Sequence, residues 1–241
     1  MRNNIINKLK EGNPVIGTFF EIGGNTAVEC LGISGLDFLI IDSEHGPFDV
    51  ESTMSYIRTA ELKGIIPFVR VKNKNRDSIL KMLDIGAKGI VIPCVETVEE
   101  VKKIVEYGKY APLGSRGFFY GRVGEYGFSE DARSVDKYFK SCNENTMLIP
   151  QCETLGCLEN IEEIVGIKGV DGIFIGPYDL SIAMGKSAQF KDPEFIAAIE
   201  RILKACKDAG KFAFIFTGNT DLAKMYFDQG FDGVAINTDV S

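Results

Sequence analysis

The stretch Gly169-Val170-Asp171-Gly172-Ile173-Phe174-Ile175-Gly176-Pro177 decides how this chain folds. A glycine pair brackets an aspartate, a short run of β-branched and aromatic residues follows, and Gly-Pro closes it. Such a run, apolar on both faces, suits a strand covered on both sides. The punctuation returns as Gly86-Ala87-Lys88-Gly89 and Gly230-Phe231-Asp232-Gly233, and more weakly as Gly35-Leu36-Asp37-Phe38. A helix that ends at glycine and feeds a buried strand is the return turn of a parallel sheet.

Working outward, eight strand-like runs appear: 15–21, 37–42, 66–71, 89–95, 146–153, 171–176, 211–217 and 232–237. Amphipathic segments lie between them, at 52–63, 76–85, 97–107, 155–165, 193–209 and 220–228. Thr97 ahead of Glu99 and Glu100 is a capping signal, and Gly64, Gly86, Gly210 and Gly230 follow helix ends. This alternation predicts an α/β fold: a single (β/α)8 TIM barrel over residues 1–241, a length ordinary for that architecture. An open doubly wound sheet is the alternative, but no Gly-rich phosphate turn marks one. Residues 112–145 break the rhythm. Glycines at 114, 117, 121, 124 and 127 interleave with Arg116, Phe118, Phe119, Tyr120, Arg122, Tyr126 and Phe128. A loop this long and aromatic is expected to be a lid, a substrate wall or a subunit contact.

Composition narrows the function. Hydrophobic residues make up 45% and charged residues 25%, a globular balance. Twenty-seven basic against thirty-four acidic residues give a net charge of −7, with no basic patch to follow a phosphate backbone, so a nucleic-acid role is not expected. No apolar run reaches ~18 residues. The N-terminus lacks the apolar core of a signal peptide, and a cytoplasmic enzyme is expected. The six cysteines, at 30, 94, 142, 152, 157 and 206, read as small hydrophobes in a reducing compartment. Cys152 and Cys157 find no second Cys/His pair to complete a zinc set, and His45 is the sole histidine.

A barrel of this kind builds its active site at the C-terminal ends of its strands. Those ends are Asp42-Ser43-Glu44-His45-Gly46-Pro47, Arg70, Gln151-Cys152-Glu153 and Gly176-Pro177-Tyr178-Asp179. Strand alternation puts Gln151 and Glu153 on one face and Cys152 on the other. Glu153 and Asp179, two carboxylates at one mouth, suit a hard divalent ion such as Mg2+ or Mn2+; the alternative is that each merely caps the following helix. His45 is the only imidazole available for acid–base work, with Asp42 placed to hold its ring, or else it is a loop histidine bonded to a carbonyl. Arg70, at the end of a buried strand, needs an anionic partner: a substrate oxygen, or a structural bridge to Glu44 or Asp42. Tyr178, Phe119 and Tyr120 read as packing groups.

Six ordered motifs then carry a resemblance over nearly the whole chain. Asp37-Phe38-Leu39-Ile40-Ile41-Asp42-Ser43-Glu44-His45-Gly46-Pro47 resembles the second-strand signature of the HpcH/HpaI aldolases, and Pro67-Phe68-Val69-Arg70-Val71 is similar to their arginine motif. Residues 83–93, Pro112-Leu113-Gly114-Ser115-Arg116-Gly117, Gln151-Cys152-Glu153-Thr154 and residues 169–181 continue the match in order. The family groups metal-dependent pyruvate aldolases on a barrel. The resemblance implies that Glu153 and Asp179 hold a divalent cation (Mg2+ or Mn2+, with Co2+ admissible) beside Gln151. It implies that Arg70 meets the keto or enolate oxygen of pyruvate, and that Gly176, Pro177 and Tyr178 line the carboxylate. His45, oriented by Asp42, would serve the acid–base step.

The implied reaction is reversible cleavage of a 4-hydroxy-2-oxo acid to pyruvate and an aldehyde. Arg70→Ala is expected to stop turnover and spare the fold. No lysine stands at a clear strand terminus for a Schiff base. A citrate-lyase-like or synthase reaction on larger carboxylates or CoA esters is the alternative, and a catalytically silent carboxylate-binding barrel is a third. Two departures qualify the resemblance. The family continues past the eighth strand into a helix often exchanged between subunits, whereas this sequence stops at Ser241, so a barrel without that helix and a homo-oligomer of unspecified order are expected. Residues 118–126 are bulkier than the family's small-residue stretch, in a region expected to meet the aldehyde.

Overall fold

A computed structural model describes residues 4–241. Eight parallel strands close into a barrel in sequence order: β1 (Val15–Phe20), β2 (Phe38–Asp42), β3 (Ile66–Arg70), β4 (Gly89–Ile92), β5 (Met147–Cys152), β6 (Gly172–Ile175), β7 (Phe212–Thr217) and β8 (Gly233–Thr238). β8 returns to pair with β1, with an irregularity in register between Gly17 and Phe19. The helices are α1 (Asn4–Lys10), α2 (Asn25–Ile33), α3 (Val50–Lys63), α4 (Arg76–Ile85), α5 (Val98–Gly108), α6 (Val135–Asn145), α7 (Leu155–Glu159), α8 (Ile161–Gly166), α9 (Pro177–Ala183), α10 (Pro193–Asp208) and α11 (Thr220–Gln229). The (β/α)8 barrel expected from the glycine punctuation is the fold observed. Gly86 and Gly230 close α4 and α11 with φ of 114° and 102°, a left-handed turn that a β-carbon would strain.

Two apolar layers follow from strand alternation. The outer one lies between sheet and helices and includes Leu39, Ile41, Leu148, Cys152, Ile173 and Ile175. The inner one fills the barrel with Phe19, Phe38, Ile40, Phe68, Val91, Ile149, Phe174 and Phe214, and α1 joins it through Ile5, Ile6 and Leu9. Phe38, Phe68 and Phe214 meet at the centre, with centroids 5.2, 6.1 and 6.3 Å apart. They fit because Gly17, Gly89 and Gly233 face them: a β-carbon on Gly89 would come within 2.5 Å of the Phe68 ring. Gly89→Ala is therefore expected to cost at least about 1–3 kcal/mol, read as a lower urea midpoint at unchanged slope.

Three sequence expectations are corrected. Residues 112–145 are not one loop: Arg122–Gly127 and Asp131–Arg133 form 3-10 turns, and α6 follows. α6 escaped notice because it buries only Tyr138 and Cys142 in a polar segment. The stretch packs a small aromatic core of its own, with Tyr110 stacked on Phe139 at 4.4 Å. It is tied to the closing ends of α3 and α4: Arg116 bonds Asp84 at 2.8 Å, and Arg122 bonds Glu61 and the Ile85 carbonyl. Those helix ends lie at the opposite end of the barrel from the strand C-termini. Within the chain, then, residues 118–126 do not border the mouth. Finally, the helix read over 155–165 breaks at Asn160, where the side-chain amide (2.8 Å) and the backbone N–H (3.3 Å) both donate to the Gly156 carbonyl.

Candidate active site

Parallel closure brings the C-terminal ends of β1 to β8 to one rim, and the acidic residues gather there. Asp42 ends β2 and Arg70 ends β3, in direct register. Asp42 is fully buried, and Arg70 grips it with both arms of the guanidinium: Nε to Oδ1 at 2.9 Å and Nη2 to Oδ2 at 2.6 Å. Glu44 adds an ion pair to Arg70 Nε at 3.3 Å, and the Phe19 ring lies under the guanidinium at 4.8 Å. Burial alone would lower the Arg70 pKa, but Asp42, Glu44 and Glu153 together hold it above its ordinary value. Arg70 is thus a fixed cation, and its Nη1 bonds none of the described residues.

Of the two readings of Arg70 left open by the sequence, the structural bridge is present, to both Asp42 and Glu44, and it fixes the angle of the fork. The assignment of Asp42 to the histidine is corrected. Both Asp42 oxygens are taken by Arg70, and its remaining bonds go to the backbone N–H groups of Glu44 (3.1 Å) and His45 (3.4 Å). The imidazole itself is 70% exposed, and its Nε2 stands 4.0 Å from Glu44 Oε2. Glu44, not Asp42, is the carboxylate beside the ring. Burial pushes the Glu44 pKa up, with Arg70 opposing and Glu153 adding. Its place in the Asp42–Pro47 strand end is the signal in the sequence.

On the facing side, Glu153 is buried beyond the end of β5. Its Oε1 accepts the Cys94 backbone N–H at 2.7 Å, and its Oε2 accepts the Gln151 amide. The helix-cap alternative for Glu153 does not hold: Thr154 caps α7 by accepting the Cys157 N–H at 3.0 Å. Burial raises the Glu153 pKa, the Cys94 N–H opposes this, and the charge of Asp179 raises it further. Asp179 lies exposed in the first turn of α9 and hydrogen-bonds none of the described residues. Gly176 allows the approach of β5, since a β-carbon there would meet Gln151 Nε2 and Glu153 Oε2 at 2.9 Å. Pro177 opens α9, and Tyr178 is half-exposed with its ring 6.3 Å from Phe216. Cys94 and Glu21 also belong to the rim and had not been anticipated. Burial and then Asp42 raise the Glu21 pKa, and its N–H bonds Asp239 at 2.7 Å.

The rim therefore holds Glu21, Asp42, Glu44, Glu153, Asp179 and Asp239 against one committed guanidinium. Among the described residues no group of three or more His, Cys, Asp or Glu side chains forms a complete metal cage. The donors do fit a hard divalent cation: the Glu153 carboxylate, whose pKa the charge of Asp179 helps to raise, Asp179 itself, and a buried Gln151 Oε1 with no partner. Such a cation would keep open positions for a small chelating ligand.

Residues 16–241 match the family model described as HpcH/HpaI aldolase/citrate lyase. The chain belongs to the HpcH/HpaI aldolase/citrate lyase family. A hydroxypyruvate/pyruvate aldolase of Roseobacter denitrificans is 34% identical over 239 residues, covering 99% of this chain and 92% of that protein. A 4-hydroxy-2-oxo-heptane-1,7-dioate aldolase of Shigella flexneri is 32% identical, covering 100% and 89%. The crystal structure of the citrate synthase SbnG superposes with a TM-score of 0.87 at 28% identity, covering 98% and 90%. This HpcH/HpaI member is accordingly a carbon–carbon lyase by family. No described helix is long and apolar enough to cross a membrane.

Proposed function

We propose that the protein is a divalent-metal-dependent aldolase that reversibly cleaves a 4-hydroxy-2-oxo acid to pyruvate and an aldehyde. The observation that carries this reading is Arg70, locked by Asp42 and Glu44 with one donor uncommitted, on the same rim as the Glu153–Asp179 pair. Breaking the C3–C4 bond moves its electron pair into the 2-oxo group, and charge develops on the keto oxygen. A preorganised guanidinium beside that atom lowers the barrier most, because it pays no reorganisation as the charge appears. Glu153 and Asp179, with Gln151 beside them, would hold Mg2+ or Mn2+, which supplies fixed positive charge at the 2-oxo acid when bound.

His45, with Glu44 next to it, takes the proton of the C4 hydroxyl as the new carbonyl forms, and a proton delivered to C3 then completes pyruvate. Gly176, Pro177 and Tyr178 line the substrate carboxylate, with the first-turn N–H groups of α9 nearby. Exposed Ile33, Leu62, Phe119 and Phe128 support a homo-oligomer, and six free cysteines support a reducing, cytoplasmic setting.

The test is pyruvate incubated with a panel of aldehydes, with products read by mass. Chelation is expected to stop condensation, and Mn2+ or Mg2+ to restore it. Condensation that survives exhaustive chelation would remove the metal from the reading. The likeness to a citrate synthase favours a second reading, in which the same stabilised enolate adds to a larger keto acid. A tricarboxylate product with no aldehyde turnover would select it.

A further inference from the structure

The Glu153 carboxylate is held from outside its own strand by an unusual turn. Its Oε1 accepts the N–H of Cys94, a non-glycine residue with φ of 54°, in the left-handed region where a β-carbon is crowded. Strained backbone persists only where its surroundings hold it. Two anchors do so here. Thr154 donates its hydroxyl to the Val95 carbonyl at 2.6 Å. Lys74, in the loop between β3 and α4, donates from Nζ to the Cys94 carbonyl at 2.9 Å. Lys74 is in turn fixed by Glu100 Oε1 at 2.6 Å, while Glu100 Oε2 accepts the backbone N–H groups of Glu96 (2.9 Å) and Thr97 (3.3 Å) at the start of α5. One chain of bonds thus runs from the α5 N-terminus through Lys74 and the Cys94 peptide to Glu153.

We infer that Lys74 is a positioning residue for the metal carboxylate: by pinning the Cys94 carbonyl it holds Cys94 left-handed and keeps its N–H on Glu153. The inference rests on the assignment of Glu153 as a metal ligand. Its sign separates it from simple electrostatics. A lysine near a cation site repels the cation, so removing its charge without any positioning role would tighten metal binding. Removing a bond that orients a ligand weakens it, typically ten- to a hundredfold.

The experiment titrates chelator-treated protein with Mn2+ and follows the signal of the free ion by electron paramagnetic resonance. Lys74→Met is expected to weaken Mn2+ binding about tenfold, and Lys74→Arg to retain most of it. In a Cys94→Gly background, where glycine takes the left-handed turn without crowding, the further loss on adding Lys74→Met is expected to fall below about threefold. Melting curves of the metal-free proteins check that each variant folds, and Lys74→Gln replaces Lys74→Met should the latter not fold. Unchanged or tighter Mn2+ binding in Lys74→Met would overturn the inference, as would an equal loss in both backgrounds. Failure of the underlying reading looks different: the unsubstituted protein would not bind Mn2+, or Glu153→Gln would bind it equally well.

Discussion

Arg70→Ala is expected to lower turnover by about a thousandfold and to destabilise the fold by about 3–5 kcal/mol in the same protein. The first effect follows from the loss of the guanidinium on the rim, a preorganised donor where charge develops. The second corrects the sequence-based expectation that the fold would be spared. Asp42 is wholly buried and spends both oxygens on Arg70, so alanine strands an uncompensated charge. The two effects separate in Arg70→Ala/Asp42→Asn. The asparagine oxygen still accepts the Glu44 and His45 N–H groups but carries no charge, so much of the lost stability should return while turnover stays low. Urea unfolding and steady-state kinetics on the three proteins check this. Turnover within tenfold of the unsubstituted enzyme in either variant would end the role given to Arg70.

The second large effect concerns Glu153→Gln. Turnover is expected to fall more than about a hundredfold, with loss of the response to added Mn2+. Metal-free stability should move the other way. Burial raises the Glu153 pKa, so the folded state binds a proton there more tightly than the unfolded chain does. The metal-free fold therefore gains stability as pH falls and loses it as pH rises through the raised value. Glutamine removes that penalty. After chelation, the melting temperature of Glu153→Gln should exceed that of the unsubstituted protein by more at pH 8 than at pH 5. A cation must displace the same proton, so activity should fall on the acid side above the range of a free glutamate. A reversed order of melting temperatures would contradict the burial of this charge.

Much of this is legible in the sequence. Gly-x-x-Gly punctuation and doubly apolar runs are local signals: a strand covered on both faces is apolar through most of its length, and a helix that must turn into it stops at glycine. The strand-end rule then named Asp42, His45, Arg70, Gln151, Glu153 and Asp179 together. Local signals failed where structure rests on few buried residues, as in α6 with only Tyr138 and Cys142, or where a side chain adds its own bond to a helix carbonyl, as Asn160 does on Gly156.

What the sequence by itself determined is the barrel, its strand order and most of the charges on its rim, Glu21 and Asp239 excepted, because periodicity and parallel closure leave one end for them all. Only the tertiary structure decided who holds whom. Asp42 belongs to Arg70 and not to His45, Glu44 stands beside the imidazole, and Glu153 depends on a peptide of β4's terminus steadied by Lys74. The reason is physical: the partners of buried charges are settled by distances of a few ångströms between groups 28 or 59 residues apart in sequence, and no local pattern encodes those.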